Sequence, residues 1–333
     1  MRQKSTTDRI TTPEQIIEMG SGYQKSRILL TAFELEIFTA IGNRAISKDE
    51  VARAIGANPK STEQLLNVLC AIGFLHKKNG LFSNDDISLR YLVKGSEEYL
   101  SRIGHMLNLY RTWGTLTEAV RKGTSVTARE YDAVSLVNFI EAMHQRARKT
   151  ADKLVSHIDL NGVNRVLDVG GGSGVYSMAF AKAKKNLNAV VFDLPMVTKI
   201  TEKYIAESGL AGRITTMDGD YNKDNFGNGY DLVFLSAIVH INSPEQNQTL
   251  IEKAYASLIP GSRIVIQDHI MKDDRTAPLR GAIFALNMLV NTEGGDTYTE
   301  HEMRGWLGNA GCDDIRRIVT GMENDLMVGR RPA

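Results

Sequence analysis

The second half of the chain alternates short apolar runs with stretches of helical spacing. From Val163 onward the apolar runs have the length of strands, and most of the segments between them are long enough for a helix. This predicts a largely parallel sheet with helices on both faces. The predicted strands lie near residues 165–169, 189–192, 213–217, 230–235, 262–267, 314–320 and 325–330. Only residues 321–324 separate the last two, too few for a crossover helix, so we expect that pair to be antiparallel.

The first half is patterned as helices followed by a hairpin. Apolar residues at helical spacing predict one helix over 23–41, Ser47 is placed to cap a shorter helix, and Asn58 precedes the proline that opens the next. A Lys-Asn-Gly turn at 78–80 lies between two short apolar runs, which is typical of a β-hairpin. Helices followed by a hairpin predict a winged-helix domain.

A charged helical segment connects the two halves. We expect one helix over 131–158, ended by the glycine at 162. The pattern therefore predicts a helical winged-helix-like domain at 1–110, linking helices at 111–160 and an α/β domain at 161–333.

A glycine-rich turn follows the first strand of the α/β half, where the sequence reads RVLDVGGGSG. Gly170, Gly172 and Gly174 let the backbone approach a ligand closely, and the next helix directs its free N–H groups into the same space. Asp193 ends the following strand, where a carboxylate can accept hydrogen bonds from ribose hydroxyls. This combination predicts a nicotinamide dinucleotide or S-adenosylmethionine site. A Walker phosphate loop is excluded, since no Gly-Lys-Ser/Thr follows.

The composition is that of a globular protein of two domains. The chain has 333 residues, 42% of them hydrophobic and 24% charged, with 40 basic and 39 acidic side chains, so its charge indicates neither a nucleic acid nor an anionic membrane as partner. The longest apolar stretch, 232–241, is too short to span a bilayer. The N-terminus lacks the apolar core of a secretion signal, which predicts a cytoplasmic protein. Cys70 and Cys312 lie far apart and lack metal-ligand spacing.

The winged-helix pattern also raises the hypothesis of DNA binding. Residues 1–100 carry 13 basic and 12 acidic side chains, and the helix that would read a major groove, 58–72, contains only Lys60 and Glu63 as charged residues. Groove reading needs several long donors and phosphate-neutralising cations. The sequence therefore favours a subunit or interdomain contact for this domain.

The final antiparallel pair separates the two cofactors, because an ordinary dinucleotide domain ends in parallel strands. The chain resembles the small-molecule O-methyltransferase family that includes caffeic acid and hydroxyindole methyltransferases. The matching segments are LDVGGGSG at 167–174, FDLP at 192–195, DGDY at 218–221, LSAIVHINSPE at 235–245, PGSRIVIQDHIM at 260–271 and GGDTYTEHEMRGWLGNAG at 294–311.

This resemblance implies a Rossmann-like class I methyltransferase domain and an N-terminal winged-helix dimerisation domain. It further implies a homodimer that uses S-adenosyl-L-methionine without a metal, releases S-adenosyl-L-homocysteine, and methylates a hydroxyl of a small, aromatic acceptor. The family positions that contact the cofactor correspond to Asp168, Gly170, Gly172, Asp193, Leu194, Asp220, Tyr221 and Ser236. Ser236 stands where plant relatives carry a lysine.

His240 is the candidate general base. It follows a strand and should emerge at the carboxyl edge of the sheet, and an imidazole that titrates near neutrality suits removal of a phenolic proton. Asp268 corresponds to the acid that orients this histidine in the family. The family's second acid falls at Thr297, with Asp296 next to it as a possible substitute. His269 is expected on the opposite face of its strand.

The acceptor pocket is predicted from two helical segments. Phe139 and Met143 lie four residues apart on one face of the linking helix, and the resemblance places them, with Asn287 and Met288, around the acceptor. Two alternatives stay open. One is the same fold acting on sulfur, nitrogen or carbon, or catalysing a reaction other than methyl transfer. The other is a non-enzymatic regulator that combines the winged helix with a cofactor-sensing domain.

Overall fold

The computed structural model describes residues 10–127 and 133–333, and the chain divides into two units, Met1–Tyr110 and Arg111–Ala333. The first unit is mainly helical. Its helices are α1 (Pro13–Ser21), α2 (Tyr23–Glu34), α3 (Ile37–Ile41), α4 (Lys48–Ala54), α5 (Pro59–Ala71) and α6 (Asp86–Tyr91), and α7 (Arg102–Trp113) continues past its boundary. Its strands are β1 (Ile46–Ser47), β2 (Leu75–Lys78) and β3 (Leu81–Asn84).

The predicted winged-helix arrangement is present. Ser47 accepts the N–H of Glu50 in a capping box at the start of α4, and Asn58 accepts two backbone N–H groups at the start of α5. The hairpin predicted at the Lys-Asn-Gly turn joins β2 to β3, and β1 pairs antiparallel with β3. The core packs apolar side chains from all of these segments, among them Phe38, Leu69 and Phe82.

The single helix predicted over 23–41 is wrong, because the chain breaks between α2 and α3. Glu36 has a φ of 52°, in the left-handed region that interrupts an α-helix. The break turns Ile37, Phe38 and Ile41 into the core of the unit, where all three are buried.

The second unit contains the remaining elements. Its helices are α8 (Leu116–Lys122), α9 (Ala133–Ala147), α10 (Ala151–Val155), α11 (Val175–Ala183), α12 (Pro195–Glu207), α13 (Pro244–Ser257), α14 (Leu279–Asn291) and α15 (Glu300–Asn309). Its strands are β4 (Arg165–Val169), β5 (Asn188–Asp193), β6 (Ile214–Asp218), β7 (Tyr230–Ser236), β8 (Leu258–Asp268), β9 (Ile270–Met271), β10 (Tyr298–Thr299), β11 (Asp313–Ile318) and β12 (Asp325–Arg330). A 3₁₀ turn spans Val239–Ile241.

The helix predicted over 131–158 is also two helices. Residues 131–132 lie outside the described residues, and α9 ends at Ala147, before Thr150 begins α10 with non-helical backbone. The charged pattern therefore spans two helices, and the non-helical backbone at Thr150 separates α9 from α10.

The large sheet has the order β11-β12-β8-β7-β4-β5-β6. Strands β8, β7, β4, β5 and β6 run parallel, whereas β12 is antiparallel to both of its neighbours, which confirms the predicted reversed pair and the α/β fold class. Adjacent residues of β4 face opposite sides, since Val166 and Leu167 belong to different apolar clusters. The chain leaves β4 first toward β5 and later returns to its other side with β7, which creates a topological switch point.

The helices in the described ranges include none that is both long and apolar enough to cross a membrane.

Candidate active site

The glycine loop lies at the carboxyl end of β4, at the switch point of the sheet. Gly170, Gly172 and Gly174 have φ values of 65°, 56° and 72°, which side-chain-bearing residues rarely adopt. A Cβ at Gly170 would lie 2.7 Å from Cδ1 of Ile238. At Gly172 an added Cβ would meet only Cδ1 of Ile140, at 3.8 Å, so the loop has open space beside bare backbone there, whereas Ile238 from the segment after β7 fills the position at Gly170.

Asp168 is a buried carboxylate just before this loop. Its Oδ2 accepts a hydrogen bond from the Ser177 hydroxyl at 2.8 Å, while its Oδ1 has no hydrogen-bond partner among the described residues. Burial, reinforced by the nearby charge of Asp193, raises the pKa of Asp168 to about 7, and the Ser177 hydrogen bond opposes this rise. A buried acceptor without a partner is costly unless a ligand supplies a donor.

Asp193 lies at the end of β5, beside the loop. Its Oδ2 accepts the N–H of Gly172 at 2.9 Å and its Oδ1 accepts that of Leu194 at 2.8 Å, so the carboxylate and the glycine loop hold each other in place. Burial raises the pKa of Asp193, and the two backbone hydrogen bonds partly offset that effect. Leu194 is exposed next to it and presents an apolar surface.

The other predicted cofactor residues lie at neighbouring strand ends. Asp220 follows β6, and its carboxylate accepts hydrogen bonds from Lys223 and from the N–H of Asn222, which lowers its pKa, with the Lys223 bond as the largest cause. The Tyr221 hydroxyl donates to Oδ1 of Asn242 at 3.1 Å. Ser236, in the lysine position of plant relatives, donates instead to Oε1 of Gln267 on β8 at 2.5 Å.

His240 and Asp268 form a buried pair. Nδ1 of His240, in the 3₁₀ turn after β7, lies 2.9 Å from both carboxylate oxygens of Asp268 at the end of β8. Asp268 accepts a hydrogen bond from this nitrogen, so Nδ1 carries the proton. The other ring nitrogen, Nε2, is therefore unprotonated and can act as a hydrogen-bond acceptor. Asp268 also accepts the backbone N–H of His269 at 2.7 Å, which fixes the carboxylate under the imidazole.

Phe284 of α14 contacts two histidine rings. Its centroid lies 4.8 Å from that of His240, nearly perpendicular, and 4.7 Å from that of His269. The expectation that His269 lies on the opposite face, away from the site, is therefore wrong. Strand β8 ends at Asp268, so the alternation of faces does not extend to the next residue.

The second acid position offers no carboxylate to His240. Thr297 is buried and its hydroxyl donates to the carbonyl of Gly281 at 3.3 Å. The carboxylate of Asp296 is half-exposed and pairs with Arg275 at 2.8 Å. Asp268 is therefore the carboxylate that the described residues place against the imidazole.

The predicted acceptor residues lie on two helices. Phe139 and Met143 are half-buried on α9, where Phe139 packs against a small apolar cluster shared with α12. On α14, Met288 is buried, and Asn287 accepts a hydrogen bond from the indole of Trp113 at 2.9 Å.

Sequence reasoning missed a link between α9 and the glycine loop. Nδ1 of His144 lies 2.9 Å from the hydroxyl of the buried Ser173, and the ring stacks on Tyr204 of α12 at 4.2 Å. Burial lowers the pKa of His144, so it stays neutral near pH 7. The sequence places His144 next to Met143, but its contact with Ser173 joins residues that are 29 positions apart, so no local pattern indicates it.

The site suits a cationic nucleoside. Gly172 leaves open space beside bare backbone, Asp193 places a carboxylate next to it, and Oδ1 of Asp168 is a buried acceptor without a hydrogen-bond partner among the described residues. The described residues include no cluster of three or more His, Cys, Asp or Glu side chains arranged to hold a metal ion. The fold and site thus define a Rossmann-like enzyme of the methyltransferase type.

Two known protein domain families match this chain. Residues 113–313 match the O-methyltransferase domain and residues 17–94 match the O-methyltransferase dimerisation domain. The protein belongs to this O-methyltransferase family, and it is an S-adenosylmethionine-dependent methyltransferase, as the sequence predicted. Its first unit contains the family's dimerisation domain, which supports a homodimer.

Similar proteins extend over nearly the whole chain. The 3-hydroxy-5-methyl-1-naphthoate 3-O-methyltransferase of Streptomyces sahachiroi is 30% identical, covering 92% of this chain and 91% of its own. The L-tyrosine C(3)-methyltransferase of Streptomyces lavendulae is 28% identical, covering 84% and 81%. The crystal structure of human N-acetylserotonin methyltransferase with SAM has the same fold, with a TM-score of 0.80, 24% identity and full coverage of both chains.

We predict that cofactor affinity rises with pH through about 7 because of Asp168. Its carboxyl is half-protonated near that pH in the free protein, whereas the ammonium group of the ligand favours the ionised form, so binding releases a proton. The dissociation constant of S-adenosylhomocysteine, measured by calorimetry between pH 6 and pH 8, should fall by up to about tenfold per pH unit below 7.

Asp168→Asn should flatten this dependence. The control Asp231→Asn should keep it, because Asp231 lies on β7 and its carboxylate accepts the N–H groups of Asn164 and Arg165 at the opposite end of β4. The free protein should also lose unfolding free energy as pH rises from 3.8 to about 7, because the folded carboxyl holds its proton more tightly than the unfolded one. An affinity independent of pH in the wild type would contradict this role.

Proposed function

We propose that this enzyme transfers the methyl group of S-adenosylmethionine to a hydroxyl of a small aromatic metabolite, with His240 as general base and Asp268 as its orienting carboxylate. The observation that carries the proposal is the buried hydrogen-bonded pair at the carboxyl edge of the sheet, with Nδ1 of His240 2.9 Å from both oxygens of Asp268. The turn that bears His240 also packs against the glycine loop through Ile238 and Gly170.

The pair determines which nitrogen acts. Asp268 accepts the hydrogen bond donated by Nδ1–H, so the unprotonated Nε2 takes the proton of the acceptor hydroxyl, and the carboxylate stabilises the imidazolium that forms. When bound, the cofactor supplies an electrophilic methyl group on its sulfonium. The protein's own residues hold the acceptor oxygen in line with this methyl group at about 3 Å, exclude water and remove one proton.

The cofactor-binding set is Asp168, Gly170, Gly172, Asp193, Leu194, Asp220, Tyr221 and Ser236. Asp193 would accept from the ribose, and Asp220 and Tyr221 would flank the adenine. The hydrogen bond from Tyr221 to Asn242 supports this set, since it connects the adenine side to the turn of His240. Ser236 is the weakest member, because its hydroxyl is already bonded to Gln267.

The acceptor would lie between α9 and α14. Phe139, Met143 and Met288 would provide apolar walls and Asn287 a polar contact, which suits a flat aromatic molecule. The naphthoate O-methyltransferase of Streptomyces sahachiroi, named for such an acceptor, supports this choice.

Carbon methylation is the second candidate. The L-tyrosine C(3)-methyltransferase of Streptomyces lavendulae is 28% identical over 303 residues and is named for transfer to a ring carbon. Removal of a phenolic proton by His240 would activate the ring carbons as well as the oxygen, so the base does not distinguish the two reactions. Two-dimensional NMR of the product identifies the methylated atom.

We assign residues 1–110 to a dimerisation domain, 111–160 to linking helices that contribute to the acceptor pocket, and 161–333 to the methyltransferase domain. A groove of about 450 Å³ in the first unit, lined mostly by apolar side chains, supports a homodimer interface there. Its lining includes Ile28, Leu35, Ile55, Leu65 and Val68.

His240→Ala should lower kcat toward a neutral phenol by about 100-fold or more, because general-base assistance contributes about that factor. The loss should nearly vanish for a phenol that is already ionised at the assay pH, since no proton then remains to be removed. Steady-state kinetics with both acceptors provides the measurement, and His301→Ala, an exposed histidine on α15, is the matched control.

An unchanged kcat in His240→Ala with the neutral phenol would mean that positioning alone suffices. Equal losses with both phenols would assign His240 a structural role instead.

The homodimer can be tested by light scattering. We expect about twice the 36.9 kDa chain mass for the wild type. Val68→Glu, which places a charge in the apolar groove, should shift the mass toward the monomer, whereas Ile87→Glu, exposed outside it, should not. A wild-type monomer at micromolar concentration would contradict the proposal.

A further inference from the structure

Helices α9 and α14 each carry an arginine in line with an apolar row. On α9, Phe139, Met143 and Arg146 follow at spacings of four and three, and therefore share one face. On α14 the same holds for Arg280, Phe284 and Met288, at spacings of four. Two helices proposed as acceptor walls thus each continue from an apolar surface to a guanidinium group.

The two arginines meet at one carboxylate. Arg146 donates to Oε1 of Glu323, and Arg280 lies 2.5 Å from the same oxygen. Glu323 belongs to the turn between β11 and β12. The ends of the two apolar rows are therefore brought together at the same point, and the geometry there already accommodates a carboxylate between two guanidinium groups.

Among the described residues, two guanidinium groups share the single carboxylate of Glu323 at this point. Two arginines carry two positive charges and Glu323 carries one negative charge. The side chains are partly open to solvent, with exposures of 42% for Arg146, 66% for Arg280 and 30% for Glu323. Ion pairs this exposed to water are weak, so another carboxylate can replace Glu323 as the partner of the two arginines.

The side chain of Phe284 connects the cluster of Arg146, Arg280 and Glu323 to His240. Phe284, one turn from Arg280, contacts the rings of both His240 and His269. Burial lowers the pKa of His269, and among smaller effects Glu323 raises it and Arg146 lowers it, so the cluster lies close to this ring. Ring contacts thus lead from His240 through Phe284 to His269, and Glu323 with its arginine partners lies close to that second ring.

From this arrangement we infer that the acceptor is an aromatic hydroxy acid whose carboxylate is bound by Arg146 and Arg280 in place of Glu323, with its hydroxyl at His240. This inference rests on the proposed function. A carboxylate matches the planar fork of a guanidinium with two parallel hydrogen bonds, and the apolar rows between the charged end and the base suit the ring.

The test compares 3-hydroxy-1-naphthoate with 2-naphthol, which is the same molecule without the carboxyl group. Binding is measured by calorimetry with S-adenosylhomocysteine present, so that no turnover is needed. We expect the wild type to bind the acid at least about tenfold more tightly than the naphthol, since hydrogen bonds between charged groups are worth that factor or more.

Arg146→Gln and Arg280→Gln should each weaken acid binding by about tenfold and leave naphthol binding unchanged. Glu323→Gln should strengthen acid binding, because it removes the competing carboxylate. Arg148→Gln, an exposed arginine just beyond the end of α9, is the matched control and should alter neither ligand.

The inference is overturned if the wild type binds both ligands equally, or if Arg148→Gln weakens acid binding as much as the other two substitutions do. These outcomes are distinct from a failure of the proposed function. Methyl transfer to neutral phenols without any preference for the acid would refute the carboxylate site alone. Binding of the acid without methylation of its hydroxyl or ring would refute the proposed function alone.

Discussion

The absence of a side chain at Gly170 is the constraint on which the site depends. The residue combines a φ of 65° with a Cα position that faces the side chain of Ile238, so a Cβ there would be both strained and 2.7 Å from Cδ1 of Ile238. That close approach lets the segment after β7 lie against the glycine loop. His240 follows two residues later and lies 2.9 Å from Asp268, so the contact of Gly170 with the Ile238 side chain connects the glycine loop to the turn that carries the proposed base.

Elements whose cause is local could be predicted from the sequence. The caps at Ser47 and Asn58, the glycine loop and the reversed final strand pair were predicted because each rests on residues close together in the chain. The break at Glu36 was not, since a left-handed glutamate has no sequence signature and core packing imposes it. The contacts of Phe284 join three distant segments, so no spacing rule could identify them.

Buried carboxylates give the cofactor cleft its electrostatic character. Asp168 and Asp193 lie close together in a chain that is almost neutral overall, and burial raises the pKa of both. The free protein therefore holds poorly solvated acids beside the glycine loop, where we propose that the positively charged cofactor binds. Ser177 and the N–H groups of Gly172 and Leu194 reduce this penalty without removing it.

The salt bridges from Arg146 and Arg280 to Glu323 have an evolutionary consequence. They join two helices and a turn, whereas the His240 and Asp268 pair and the glycine loop are held by the strands of the sheet. Substitutions on the faces of those helices that we propose to line the acceptor can accumulate without disturbing the strands. Descendants of one ancestral methyl-transferring scaffold are therefore free to diverge in what they modify while inheriting the same reaction chemistry.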